Sequence, residues 1–446
     1  MGFFKSLFSA IEKSISQEMF SKGMSTSSGV SQSGATTGGD VDVKSITLMS
    51  EDRTRMASIF PQVKMIHIYE NISQPVITAV LEIEDMINLH EKFPIIGEEY
   101  VAIELQTPGT ERSSRYFFRV KRRSELSITE NNKGVRYTLV CYSPEYQAGV
   151  SSLIQDAPEQ EPHKTVKDIM LDTIKTTKRV RVDETKGTPQ KQLSNLPPLV
   201  AIDLLRRSAK SKNTNALGGA WFFFENADGF NFTTLDKMYE RGKKNQKSGS
   251  DKVFFYDVTS GMSPLSVNAR NILMFKQVSF ADNMDAQQEG MYRASYAGFD
   301  LTKGVTEKYD FKSSDFDTPA GTRNTTQFRA NREQSTSVAE IVPFRSELNS
   351  TDEDAEAVAK RNAFVQQMVQ SVARITVYGD TYLTVGDVID CNITEARDTT
   401  EDPKKSRFSS GKYLISKIKH TIQLSDRNIH VMTMELIKGS VIEEAK

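Results

Sequence analysis

Reactive residue types are scarce in this chain. Among 446 residues there are two cysteines, one tryptophan and five histidines. Cys141 and Cys391 lie far apart, each inside an apolar, strand-like run. Their number excludes a disulfide scaffold and their spacing excludes a zinc site. Both read as buried free thiols, which suits folding in a reducing cytoplasm. An excess of one charge is also missing. With 57 Lys+Arg against 58 Asp+Glu the net charge is −1, which excludes the basic surplus that bulk affinity for nucleic acid or anionic membrane requires. No apolar run is long enough to span a bilayer as a helix.

The signatures of common chemistry are absent too. There is no phosphate-binding P-loop, no glycine-rich dinucleotide turn after a strand and no Gly-x-Ser-x-Gly elbow. His67, His90, His163, His420 and His430 show no pair at metal-binding helical spacing and no neighbouring cysteines; His420 and His430 are placed to face each other across one hairpin. Glu82 with Glu84, or Asp387 with Asp390, are close enough in sequence to suggest a glycosidase pair, but charges on the outer face of strands and corners account for them. The expectation is a chain with no catalytic residues, no metal site and no cofactor: not an enzyme.

What is present is β-structure. The length suggests roughly three domains. Residues 41–49, 63–69, 76–83, 100–105, 116–120 and 135–141 read as strands, with Ile77, Ala79, Leu81 and Ile83 on one face and Tyr137, Leu139 and Cys141 on another. Turn signals separate them at Pro75, Gly97, Pro108–Gly109 and residues 131–134, and a short helix is expected at 85–90. Strands of this length with tight turns predict a small barrel.

The middle changes character. Val166, Ile169, Met170 and Ile174 keep helical spacing, and Pro197 and Pro198 precede a second helix carrying Leu199, Ile202, Leu204 and Leu205. The string WFFFENADGFNF (221–232) predicts a hairpin whose Asp-Gly turn permits positive backbone angles. Residues 241–252 read as a solvated basic loop. Strands are expected at 272–280 and 291–300 with a short helix at 281–288 between them, then an extended arm at 312–338. The longest helical pattern is 352–372, with acidic residues in its first turn as the helix dipole favours. Four β-branched runs (373–378, 383–391, 411–420, 429–438), punctuated by Gly-Asp corners and one charged insertion, close the chain as an antiparallel sheet.

The first residues form a separate unit. Phe3, Phe4, Leu7, Phe8, Ile11, Ile15 and Met19 recur at helical spacing, and residues 21–40 are mostly Ser, Gly and Thr. This predicts an amphipathic helix on a flexible tether, suited to docking on a partner, with membrane-surface binding the second reading. Residues 1–6 also fit the short myristoylation pattern. Arg119, Lys121, Arg122 and Arg123 form a basic cluster, expected at a hairpin, that could meet a polyanion.

Several segments together resemble the baseplate hub protein of contractile-tailed bacteriophages, which is related to the N-terminal part of type VI secretion spike proteins. The strings YTLVCYSPEY (137–146), the aromatic hairpin at 221–232, GMYRA (290–294) with DLTK (300–303) and YDF (309–311), and GDTYLTVGD (379–387) with GKYLI (411–415) carry the resemblance, over about residues 41–438.

It implies two tube-like antiparallel β-barrel domains with a mixed α/β middle region; with the N-terminal amphipathic helix, in which this chain departs from smaller members of the family, the whole is expected to be mainly β (α+β). The corresponding divisions are 1–40 for helix and tether, 41–148 for the first barrel, 149–265 for the middle, 266–311 with 371–438 for the second barrel, and 312–370 for an inserted arm and helix.

It further implies a homotrimer whose six barrels join a hexameric tail tube to a trimeric spike. The channel would hold the end of the tape-measure protein and pass DNA transiently. Expected partners are the central spike, the tail tube or its initiator, the tape measure and the baseplate wedge proteins, without stable membrane binding. The expected location is the virion tail baseplate, assembled in the host cytoplasm. The interaction surfaces expected are Phe3, Phe4, Leu7, Phe8 and Ile11 on the helix, Arg119, Lys121, Arg122 and Arg123, and the loop 399–410. The alternatives are a hub-associated cell-wall hydrolase and a membrane-peripheral adaptor anchored by the N-terminal helix.

Overall fold

The computed structural model describes residues 38–441 except 53, 94, 109–112, 129–133, 156–159, 189–192, 213–219, 248–253, 258–269, 281–290, 292, 301–304, 313–325, 328–337, 345–351 and 396–403. The expected N-terminal helix, the helix at 281–288 and most of the arm at 312–338 lie outside the described residues. Those described are mainly antiparallel β-sheet with few helices.

Seven strands come first: β1 (Asp42–Met49), β2 (Met56–Ser58), β3 (Val63–Asn71), β4 (Thr78–Asp85), β5 (Tyr100–Gln106), β6 (Ser113–Ile128) and β7 (Val135–Tyr142). Period-two alternation forms them: Val101, Ile103 and Leu105 point into one core with Ala79, Leu81, Ile83, Leu139 and Cys141. Both cysteines are buried, and neither is in a disulfide. Two elements depart from the sequence reading. The short helix α1 begins at Leu89 (Leu89–Lys92) rather than at 85, because Asp85 ends β4 and its carboxylate accepts the backbone N–H of Ile87, Leu89 and His90. Burial opposes ionisation of Asp85, yet these donors hold its carboxyl below the usual range. β6, in turn, runs on to Ile128, well past 120.

The middle region holds α2 (Glu145–Ser151), α3 (Pro162–Asp168) with a π-turn at Ile169–Thr173, β8 (Val180–Val182), β9 (Thr185–Lys186), α4 (Pro198–Ser208), β10 (Lys210–Ser211), β11 (Trp221–Asn226), β12 (Gly229–Thr234), α5 (Leu235–Lys247) and β13 (Phe254–Asp257). The aromatic hairpin β11–β12 lacks the polar alternation of a half-exposed strand because both its faces are buried. Trp221, Phe223, Phe230 and Phe232 pack on the middle helices, whereas Phe224 enters the core of the C-terminal sheet. Its loop is Ala227–Asp228, and the positive φ belongs to Gly229 (φ 121). Glycine is required there because an added Cβ would lie 2.2 Å from the Arg179 carbonyl oxygen. The segment from 241 to 247, expected as a solvated loop, belongs to α5, and Arg241 is anchored on Asp183 (2.5 Å).

The remaining elements are β14 (Ile272–Phe280), β15 (Arg293–Asp300), β16 (Val305–Lys312), β17 (Thr326–Gln327), β18 (Val338–Phe344), α6 (Asp352–Met368), β19 (Ser371–Tyr378), β20 (Val388–Asn392), β21 (Gly411–Gln423), β22 (Ile429–Lys438) and β23 (Ser440–Val441). Thirteen strands form one sheet, in the order β14-β19-β22-β21-β3-β4-β7-β6-β5-β1-β2, with β20 on β21 and β13 on β20. N-terminal and C-terminal strands meet where β21 pairs antiparallel with β3, from Lys417 opposite Asn71 to Gln423 opposite Met65. The sheet is continuous, but its hydrophobic core is divided: one cluster under the N-terminal strands, one under the C-terminal strands and α6, and one among the middle helices and the aromatic hairpin.

Candidate functional site

The loop from Gly379 to Asp387, which joins β19 to β20, touches all three parts of the molecule. On the N-terminal strands, the Ser114 hydroxyl donates to the Thr381 carbonyl (3.0 Å) and Thr381 N–H donates to Thr107 Oγ1 (3.1 Å). The buried Glu70 of β3 accepts the Thr384 hydroxyl (2.6 Å) and Val385 N–H (3.1 Å). From the aromatic hairpin, Asn226 Nδ2 donates to the Val385 carbonyl (3.2 Å) and Ala227 N–H to Thr384 Oγ1 (3.1 Å). The Gly-Asp corners that mark this segment in the sequence are therefore a three-way joint rather than simple turns.

Beneath the joint lies the expected histidine pair. His420 Nδ1 and His430 Nε2 are 3.1 Å apart across β21 and β22, and both rings are buried. His420 Nε2 faces Glu70 Oε1 at 3.8 Å. Among the described residues, Glu70 Oε1, His420 Nε2 and His430 Nδ1 have no hydrogen-bond partner. Burial, with His420 as neighbour, holds His430 well below the usual imidazole range, so the ring is neutral. Among the described residues no group of three His, Cys, Asp or Glu side chains is arranged to hold a metal.

A second buried cluster fastens the N-terminal strands to the middle region. Lys178 Nζ donates to Ser143 Oγ (2.5 Å), Glu145 Oε2 (2.8 Å) and Glu225 Oε1 (2.6 Å). Glu225 also accepts Ile77 N–H (3.0 Å), and Glu145 accepts the Thr176 hydroxyl (2.8 Å). Burial alone would lower the Lys178 ammonium, but Glu225 and Glu145 outweigh it and raise the group. Of the two carboxyls, burial and the neighbouring Glu145 push Glu225 up, while Lys178 overcomes burial at Glu145 and holds it down.

The basic cluster lies on one strand of the hairpin β6–β7, away from its turn. Arg119, Lys121, Arg122 and Arg123 sit mid-strand in β6, where the register shifts between Val120 and Arg122 and again between Ser124 and Ser127. Each bulge places extra residues on one strand and re-aims the side chains beyond it. Arg119 lies over the Tyr100 ring (5.5 Å) and contacts Glu51 (3.4 Å), and Arg123 lies over Tyr137 (5.9 Å). The aromatic partners come from neighbouring strands, which is why sequence spacing did not reveal them. Lys121, Arg122 and Arg123 are exposed, as are Leu126 and Ile128 further along β6. A second exposed apolar surface lies on β14, at one end of the thirteen-stranded sheet: Leu273, Met274, Val278 and Phe280, with Phe408 edge-on to Phe280.

The other sequence candidates resolve into structural roles. Glu84 is paired with Arg136 (2.9 Å) and Lys64 (3.4 Å), and Glu82 lies near His67 (3.8 Å). Of the loop 399–410, residues 404–410 are described; there the buried Lys438 donates to the carbonyls of Phe408 (2.6 Å) and Ser410 (2.7 Å). Phe3, Phe4, Leu7, Phe8 and Ile11 lie outside the described residues.

No protein-family model matches the chain, and neither does any curated protein. Solved structures do. A tail protein from Neisseria meningitidis superposes over 88% of this chain and 96% of its own, with TM-score 0.52 and 9% identity. The 43 kDa tail protein of prophage MuSo2 from Shewanella oneidensis superposes over 89% and 98%, with TM-score 0.52 and 12% identity. The chain has a phage tail-protein fold. At such identity the shared property is the path of the backbone, over 88–89% of this chain.

Proposed function

We propose that the chain is a structural protein of a contractile-tail baseplate, specifically its central hub. In this reading the N-terminal and C-terminal strands each form a tube-like barrel (41–148, and 266–311 with 371–438), the middle (149–265) braces them, and 312–370 is an inserted arm and helix. Three copies, with two barrels each, make a pseudo-sixfold ring between a hexameric tail tube or its initiator and a trimeric spike. Wedge proteins surround the ring, and the channel holds the tape measure and passes DNA during ejection. The protein acts in the virion tail baseplate after assembly in the host cytoplasm, and it works by shape and symmetry rather than catalysis.

The observation that carries this reading is the tail-protein fold spanning nearly the whole chain, combined with one sheet that runs across two separate strand cores. Closed ring assembly needs complementary surfaces at the two sides of a subunit. The exposed basic and apolar residues of β6 and the apolar β14 supply candidates, because an exposed apolar edge strand calls for a neighbour. The N-terminal helix, through Phe3, Phe4, Leu7, Phe8 and Ile11, docks in a groove of a neighbouring baseplate protein.

Light scattering on the purified chain tests the hub. A particle of three times the 50.1 kDa subunit mass is expected; a monomer both alone and with spike protein added would refute it. Deleting residues 1–40 should abolish particle assembly while leaving the trimer intact, and unchanged infectivity would refute the docking role.

A further inference from the structure

The histidine pair sits under the point where the N-terminal segment leaves the sheet. His430 N–H donates to the Gly39 carbonyl (2.7 Å), Gly379 N–H donates to the His430 carbonyl (2.8 Å), and Val41 N–H donates to the Asn428 carbonyl (3.3 Å). Gly38 and Gly39 lie against the Tyr378 ring, where an added Cβ would come within 2.9 Å and 2.6 Å of it. A Cβ on Gly379 would lie 2.0 Å from His430 Nδ1. Three things therefore bear on one residue: the strap 38–41 through the backbone N–H of His430, the first corner of the 379–387 loop through its carbonyl and ring, and His420 through its ring.

The hydrogen-bond geometry selects the protonation pattern. One hydrogen is shared between His420 Nδ1 and His430 Nε2. If His420 supplied it, the lone pair of His420 Nε2 would face the Glu70 carboxylate, and His430 Nδ1 would be a buried donor without an acceptor. If His430 supplies it, His420 Nε2–H points at Glu70 and His430 Nδ1 is a bare, buried lone pair. The second arrangement avoids both penalties. It leaves one basic site, His430 Nδ1, pressed against the Gly379 backbone.

We infer that His430 is a proton-sensitive pin: uptake of a proton at Nδ1 creates a buried N–H that Gly379 cannot accept, which lifts the loop corner and releases the 38–41 strap from β22. The step is binding of one proton from solvent, with no bond to carbon made or broken. The titratable and charged groups around the pair are Glu70 from β3, His420 from β21, Asp380 from the loop with Arg270 beside it, Tyr378 from β19, and Asp40 of the strap, paired with Arg427. Glu70 gives its Oε2 to Thr384 and Val385 and turns Oε1 toward His420 Nε2, and Asp380 accepts Tyr382 N–H (2.8 Å), so neither carboxylate is a partner of His430 Nδ1. Strap and loop make this a device that links acidity to the anchoring of the N-terminal segment, and it holds whether or not the chain forms a hub.

Hydrogen exchange on the full chain, corrected for the intrinsic effect of pH, tests the inference. Between about pH 7.5 and about pH 4, a span that reaches below the ordinary imidazole range because burial holds His430 down, peptides covering 376–388 and 38–43 should lose protection by about tenfold or more. Those covering 221–234 should not change, and His430→Asn should remove the response. Equal protection at the two pH values, or an unchanged response in His430→Asn, would overturn it. So would stoichiometric Zn²⁺ binding that the same substitution abolishes, since that would make the cluster a metal site. Nitrogen NMR of labelled histidines needs no variant: His430 Nδ1 must become protonated over the range in which the loop opens, and a nitrogen that stays bare throughout refutes the pin.

Discussion

Two buried polar joints hold the three parts of this molecule together, and they are built on opposite principles. In the Lys178 cluster one ammonium meets two carboxylates and a hydroxyl, and the remaining oxygens take up Ile77 N–H and the Thr176 hydroxyl. In the Glu70–His420–His430 cluster all three residues are buried, yet three of their polar atoms have no partner. A saturated network fixes one geometry, whereas an unsaturated one leaves free energy to be gained by rearrangement. The first joint reads as a permanent clasp between the N-terminal strands and the middle; the second lies where the two halves of the sheet meet and can respond to its surroundings.

The comparison can be broken most directly at Lys178. Lys178→Met strands two buried carboxylates without a counter-ion and should cost about 3–5 kcal/mol in chemical denaturation; a loss below about 1 kcal/mol would mean that the clasp is not a clasp. Next comes Gly379→Ala, whose new methyl collides with the His430 ring. It should cost about 1–3 kcal/mol as overpacking does and should release the 379–387 loop to protease while the aromatic hairpin stays protected.

Acid should also distinguish the joints. His430 is held well below its ordinary value by burial, and His67 down to about 4 for the same reason, with Lys419 adding to it. In the unfolded chain these rings bind protons below roughly pH 6.5, while in the folded chain they do so only at lower pH. Their stabilisation is therefore complete above the unfolded value and is lost as the pH falls toward the folded ones. The urea midpoint should drop between pH 7 and pH 5, and the drop should shrink in His430→Asn. The smallest effect on stability is expected on the surface of β6, where Arg123→Ala with Leu126→Asp should change folding by less than about 0.5 kcal/mol. The same pair should dissociate the proposed trimer in light scattering, which would place β6 at the subunit interface.

Much of this was legible in the residues. Each expected strand between 41 and 143 has a counterpart because a half-buried strand writes its burial into alternate positions. The aromatic hairpin was located, though its unbroken apolar run did not say that it packs between two cores. The histidine pair was foreseen from hairpin spacing alone. Asp85 as a cap, Arg241 on Asp183 and the bulges of β6 were not, because each depends on a partner supplied by another element. Lys178 carries no sequence signal: it becomes the centre of a cluster only once Glu145 and Glu225 converge on it.

The sequence by itself determined local matters: which runs extend, which curl and where prolines admit a helix start. These follow from side-chain period and backbone preference, which act over a few residues. Only the tertiary structure decided that the N-terminal and C-terminal strands share one sheet through β3 and β21, and that a Gly-Asp corner is a three-way joint. It also decided that two imidazoles lie buried beneath that corner. Such features arise from pairing between residues hundreds of positions apart, where register and burial, rather than propensity, set the energy.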